Sequence, residues 1–256
     1  MQYLSVEDAI PLAGLRIAFT RGVPGPWSEA AKALFQIKRI PFSAVAQDGA
    51  QPNEALQSWT GQNSAPVAVF NDERPRCHWS EILMLAERLA PEPSLIPADE
   101  RARMTMFGLC HEICGEDGFG WSCRLLMLDA MERAAGATPE TSPFVGMRRK
   151  FTSGASLEHA RRRIVAVMGA LAACLLDQGT GRGRFFVDGA LSAADIYWTT
   201  FSNLVAPMAE EDCPMPSYYR LASVGLDPVV GKNVPAVLIE HRERILHDNF
   251  VLPMAF

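Results

Sequence analysis

The feature that most limits how this chain can fold is a change of hydrophobic period in mid-sequence. Ahead of Pro91, short apolar runs alternate with helical patterns, whereas beyond Ala98 the apolar spacing is helical almost throughout. Pro91, Pro93 and Pro97 punctuate the boundary, and prolines so close together suit neither a helix interior nor a central strand. The spacing predicts a small α/β domain over 1–92, a linker over about 91–98 and an all-α domain over 99–256.

In the first half, Leu15 to Phe19 is a short apolar run followed by Gly and Pro, as expected of a buried strand. Ala31, Leu34, Phe35 and Lys38 then fall at helical spacing. Ser28 can cap that helix, and Glu29 in its first turn suits the macrodipole. Ile40 to Val45 reads as a second strand, parallel to the first through the intervening helix. Val67 to Phe70 makes a third, introduced by Pro66. Ile82, Leu85, Ala86 and Leu89 mark a helix opened by Ser80 and stopped before Pro91.

Composition removes several function classes. A net charge of −5 gives no general attraction to nucleic acid or to an acidic membrane surface. The runs "MRRK" (147–150) and "ARRR" (160–163) read as solvated helix faces. The first residues contain acids and a proline without an uninterrupted apolar stretch, so a cytoplasmic protein with no secretory signal and no membrane span is expected. Cys77, Cys110, Cys114, Cys123, Cys174 and Cys213 form no CxxC pair and read as thiols. Cys110, His111, Glu112 and Cys114 have metal-ligand chemistry, but no second cluster completes four ligands, so no metal is expected.

The second half begins with a long helical stretch from Asp99 toward Arg133, bent near Gly115 to Gly120. A loop around Thr138 to Pro143 follows, then helices near Leu157 to Gln178, Ser192 to Met208 and Val234 to His247. In "FFVDGALSAADIYW", Ser192 and Asp195 make a capping box, and Leu191 and Ile196 can close a hydrophobic staple.

This capping box, with Phe186 and Gly189 ahead of it, resembles the head of the buried core helix in the cytosolic glutathione transferases. "APVAVF" is similar to that family's segment in which a cis-proline precedes the third strand, and "PEPSLIPADERAR" to its domain linker. The resemblance spans most of the chain and is to the bacterial type. It implies a thioredoxin-like domain followed by an all-helical one, a cytoplasmic homodimer, glutathione as co-substrate, and detoxifying transfer to a small hydrophobic electrophile. Two alternatives stay open: a non-catalytic binding protein on the same fold, and glutathione-dependent reduction or lysis through a cysteine.

The same resemblance implies roles for individual residues. Ala65 and Pro66 stand where backbone groups pair with the tripeptide, and Ser80 where the γ-glutamyl carboxylate is held, with Trp79 in place of the family's glutamate. In "GVPGPWS", Gly25 occupies the position of the residue that acts on the sulfur, with Pro26 and Trp27 after it. Ser28 is the one side chain in the turn able to act on a thiol, and so the catalytic candidate. His111, Cys114 and Trp121, on the first helical stretch of the second domain, are the candidates for lining the cleft between domains.

Overall fold

The computed structural model describes all residues except 50, 139–140, 143, 152–153, 155, 178–184, 188 and 225–226. The first part runs α1 (Val6–Ala9), β1 (Leu15–Thr20), α2 (Pro26–Ile37), β2 (Ser43–Gln47), α3 (Glu54–Thr60), β3 (Val67–Phe70) and α4 (Trp79–Leu89). The rest is helical: α5 (Glu100–Cys114), α6 (Phe119–Ala134), α7 (Val145–Phe151), α8 (Leu157–Leu176), α9 (Ala193–Phe201), a single 3-10 turn (Ser202–Leu204), α10 (Ser217–Val224), α11 (Pro228–Lys232) and α12 (Ala236–Asn249). Among the described residues no helix is long and apolar enough to cross a membrane.

The sheet has the order β2-β1-β3, with β1 parallel to β2 and antiparallel to β3. The parallel pair joined through α2 is the arrangement the sequence predicts. Beyond β3 the sheet continues only as a bridge between Ala68 and Arg76. On the other side Leu4 bridges Val45, donating its N–H to Ala44 O (2.9 Å) and accepting from Ala46 N (3.1 Å). The N-terminal residues thus cover the β2 edge, which otherwise presents unpaired backbone groups.

The chain divides into two compact units. The first is Met1–Ser94 with Ala209–Pro216 and Asn249–Phe256, and the second is Leu95–Met208 with Ser217–Asp248. Ile17, Phe19, Leu34, Phe35, Val45, Ile82 and Leu85 form the buried interior of the first. Lys38, buried, pairs with Glu87 (2.7 Å) and donates to Pro93 O (2.6 Å), pinning the start of the proline-rich segment. In the second unit Tyr197, Trp198 and Phe201 on α9 are buried with Phe119, whose ring meets Trp198 edge-on at 5.3 Å. Trp198 Nε1 donates to Leu238 O at 3.0 Å, tying α12 to α9.

Several element boundaries differ from the sequence expectation. The second strand is Ser43–Gln47, because Pro41 has no N–H to offer a ladder. The first long helix begins at Pro26 rather than at Ser28: Gly25 is its N-cap, and proline at the first helical position gives up no intrahelical bond. The stretch expected from Asp99 toward Arg133 is two helices. A Cβ at Gly115 would lie 2.7 Å from His111 O, and one at Gly118 would lie 2.6 Å from Glu112 O, so both positions need glycine and the chain reverses there. Residues 139–140 and 143 of the expected Thr138–Pro143 loop, and Gln178 at the end of the next helix, lie outside the described residues.

Candidate functional site

The turn between β1 and α2 carries the first group of candidates. Gly25 caps α2 without a side-chain hydrogen bond, and its own N–H is held by Val23 O at 2.8 Å. Ser28 is 1 % exposed, and its hydroxyl accepts the N–H of Thr20 at 3.2 Å. Its side chain therefore ties the start of α2 to the end of β1 and does not cap the helix, because Gly25 already holds the capping position. Trp27 is half-buried, and Pro26 is buried.

The register of the sheet brings further candidates to the same end. Ala18 pairs with Val67, so the next step places Phe19 opposite Pro66, and the Ala65–Pro66 peptide bond is cis. Ala68 bridges Arg76 antiparallel, so the same counting brings His78 level with Pro66. The C-terminal end of β1, the head of β3 and the start of α4 therefore share one end of the sheet.

At the start of α4 the cap is His78, not Ser80. His78 Nδ1 accepts the N–H of Ser80 (3.4 Å) and lies 2.8 Å from Ser80 Oγ. The N–H of His78 in turn donates to Glu81 Oε2 at 3.4 Å, and Glu81 pairs with Arg74 at 2.8 Å. Burial would raise the Glu81 carboxyl, but Arg74 and the N–H groups of His78 and Cys77 outweigh it and hold it below the usual range. Trp79, at the first helical position, is buried. Sequence reading missed His78 as a cap because the familiar signature asks for Ser or Thr. The glutamate three residues on is the other half of the box and was the available signal.

Beneath α2 lies a buried ion pair. Glu29 Oε2 is 2.5 Å from Lys32 Nζ, which also donates to Ala255 O at 2.6 Å. Burial pushes the Glu29 carboxyl up against the opposing pull of Lys32. Tyr3 is pushed up to about 12, first by burial and then by Glu29, so its hydroxyl stays neutral at physiological pH. A cavity of about 350 Å³ opens by the β2 edge, lined by Tyr3, Ser5, Arg21, Asp48, Asn53 and Glu54 among others.

The remaining candidates belong to the helical unit. His111 is exposed on α5, and Trp121 is half-buried on α6 with the Arg124 guanidinium 5.7 Å from its ring. Cys114 is 1 % exposed. Burial raises the thiols of Cys110, Cys114 and Cys123 well above the ordinary cysteine value, which keeps them protonated and poorly nucleophilic.

No protein-family model and no curated protein matches this chain. Solved structures do. A glutathione S-transferase of Methylobacterium radiotolerans, in complex with glutathione sulfonate, matches with a TM-score of 0.52 at 20% identity, covering 86% of this chain and 94% of that one. A glutathione S-transferase of Methylobacillus flagellatus with glutathione bound reaches 0.57 at 14% identity, over 89% and 98% of the two chains. A beta-etherase of Sphingobium reaches 0.57 at 17% identity, over 91% and 100%. At such identities what is shared is the fold. This chain has the glutathione S-transferase fold, a thioredoxin-like unit with an all-helical one, of the kind found in bacterial members.

Proposed function

We propose that this protein binds glutathione in its thioredoxin-like unit and presents the thiolate to a small hydrophobic electrophile, as a cytoplasmic, homodimeric transferase of the glutathione-transferase type. The observation that carries this reading is the convergence of the Gly25 turn, Ala65–Pro66 and the start of α4 at one end of the sheet. Solved proteins of the same fold hold glutathione or glutathione sulfonate, which supports the tripeptide as ligand.

In this reading the backbone of Ala65 pairs with the extended tripeptide as an added strand would. Ser80 and the N-terminus of α4 receive its γ-glutamyl carboxylate, since N–H donors and the helix dipole both favour an anion there. The sulfur faces the start of α2. With no side chain at Gly25, the groups that lower the thiol pKa are the first-turn N–H donors and the positive end of the helix; Pro26 contributes no donor. Deprotonation raises the nucleophilic fraction, and the thiolate displaces a leaving group on the electrophile. Ser28 acts indirectly, by holding the turn against Thr20. His111 and Trp121 are the helical-unit side chains assigned to the electrophile.

Calorimetry with glutathione, followed by a conjugation assay with a nitroaromatic chloride near neutral pH, tests the reading. Binding with turnover supports it, and absence of glutathione binding at millimolar concentration overturns it. A second reading, a binding protein without catalysis, is favoured by Gly25 and by the burial of Ser28. Tight binding with no turnover on any electrophile selects it.

A further inference from the structure

Resting on the reading that the start of α4 receives the glutathione carboxylate, we propose that His78 is a positioning residue whose protonation state sets how tightly that carboxylate is held. Nδ1 of His78 lies 2.8 Å from Ser80 Oγ and 3.4 Å from Ser80 N. A backbone N–H can only donate, so Nδ1 is the acceptor and the ring proton of the neutral imidazole sits on Nε2. The Ser80 hydroxyl then directs its proton to Nδ1 and turns oxygen lone pairs outward. Both polar groups of Ser80 are occupied by the cap, and a carboxylate arriving there meets lone pairs.

A proton taken from solvent onto Nδ1 reverses this arrangement. Nδ1–H now donates to Ser80 Oγ, the Ser80 hydroxyl proton is released toward the ligand, and the Ser80 N–H is released with it. His78 is exposed, so the proton arrives without a conformational change. One proton is bound and no bond to carbon is made or broken. The protonated site offers a carboxylate two donors from Ser80 and a nearby cation, whereas the neutral site offers neither. Charge-assisted hydrogen bonds are the stronger kind.

The groups around His78 keep their own charge through this change. Glu81 accepts the His78 N–H and is held ionised against Arg74. Cys77, next along the chain, has its thiol raised, first by burial and then by Glu81, and stays neutral. The Trp79 ring, 5.5 Å away, does not titrate. His78 is thus the group at this helix start that changes charge in the range where histidines titrate.

The test is calorimetry of the full chain with glutathione from about pH 5.5 to about pH 7, where the ligand's own groups hold one charge state. Affinity is expected to rise roughly threefold toward the acid end, the visible part of a roughly tenfold difference between the two imidazole states. His78→Asn keeps a capping side chain that does not titrate, and is expected to flatten the profile. By linkage, saturating glutathione should raise the His78 titration midpoint, followed by NMR, by about one pH unit. Binding with a flat profile, or an His78→Asn variant that keeps the slope, overturns the role of His78 and leaves glutathione binding standing. Absence of binding at every pH removes both.

Discussion

His241 Nε2 stands 3.0 Å from Asp195 Oδ1, with the two side chains 2 % and 0 % exposed, so α12 is bound to the capping box that opens α9. Arg244 donates to the other ring nitrogen at 3.0 Å, and since guanidinium has no acceptor, the imidazole proton lies on Nε2 and points at the carboxylate. Asp195 also accepts the N–H groups of Phe186 (2.9 Å) and Ser192 (2.8 Å) and the Ser192 hydroxyl (2.8 Å). His241→Ala should cost about 1–3 kcal/mol in urea unfolding. Asp195→Ala should cost more, because it strands all of these donors at once; an equal or smaller loss contradicts this account.

Ser28→Ala leaves the Thr20 N–H without its acceptor at the end of β1. Stability should fall by about 1–2 kcal/mol, while turnover per folded molecule changes less than about threefold. A collapse of kcat with unchanged stability would return Ser28 to the chemistry.

At Gly25 φ is −60°, and an added Cβ would make only ordinary contacts, 3.8 Å to Thr20 Cβ and Oγ1 and 4.0 Å to Ser28 Oγ. Gly25→Ser should fold, gain a few tenths of a kcal/mol as an N-cap (about 0.3), and raise conjugation rate at neutral pH by placing a hydroxyl beside the sulfur. Rates measured with a nitroaromatic chloride decide it, and a drop in kcat/KM rules out the placement of the sulfur at this turn.

The buried Glu29 carboxyl is raised, chiefly by loss of water, despite Lys32 at 2.5 Å. A carboxyl whose folded pKa lies above its unfolded value contributes stability below the unfolded value and loses it as pH rises through the folded one. Glu29→Gln removes that loss. Its melting temperature should exceed the parent's by about 2–4 °C above neutrality, with the gap closing as pH falls toward about 5. Thermal melts at both ends of the range check the sign, and a gap that widens toward acid refutes it.

Cys110, Cys114 and Cys123 are buried, with thiols raised well above the ordinary value, while Cys77 is exposed. An aromatic disulfide reagent at neutral pH should label Cys77 in the native protein and leave those three untouched until unfolding. Single replacements of the three by alanine should keep full conjugation activity, and loss of activity in any one would revive a cysteine-based reaction.

Much of the fold was legible where the signal is local. The strand at Leu15, the helix through Ala31, Leu34 and Phe35, and the Ser192–Asp195 box appear as read. The misreadings have one origin. Ser28 and Ser80 both look like caps, yet Thr20 claims the first and His78 takes the place of the second. The break after Cys114 was placed by its glycines, but its sharpness depends on how closely His111 and Glu112 carbonyls approach. Leu4 on the edge of β2 left no periodic trace, since a bridge of one residue has no period.

By itself the sequence determined the succession of elements, their apolar faces and the boundary at the prolines, because each of these follows from neighbours within a turn or two of chain. Only the tertiary structure decided which polar group answers which: Ser28 to Thr20, Lys32 to Ala255, His241 to Asp195. A buried donor takes whatever acceptor the packed chain brings within about 3 Å, and residues more than two hundred positions apart meet there on equal terms with near neighbours.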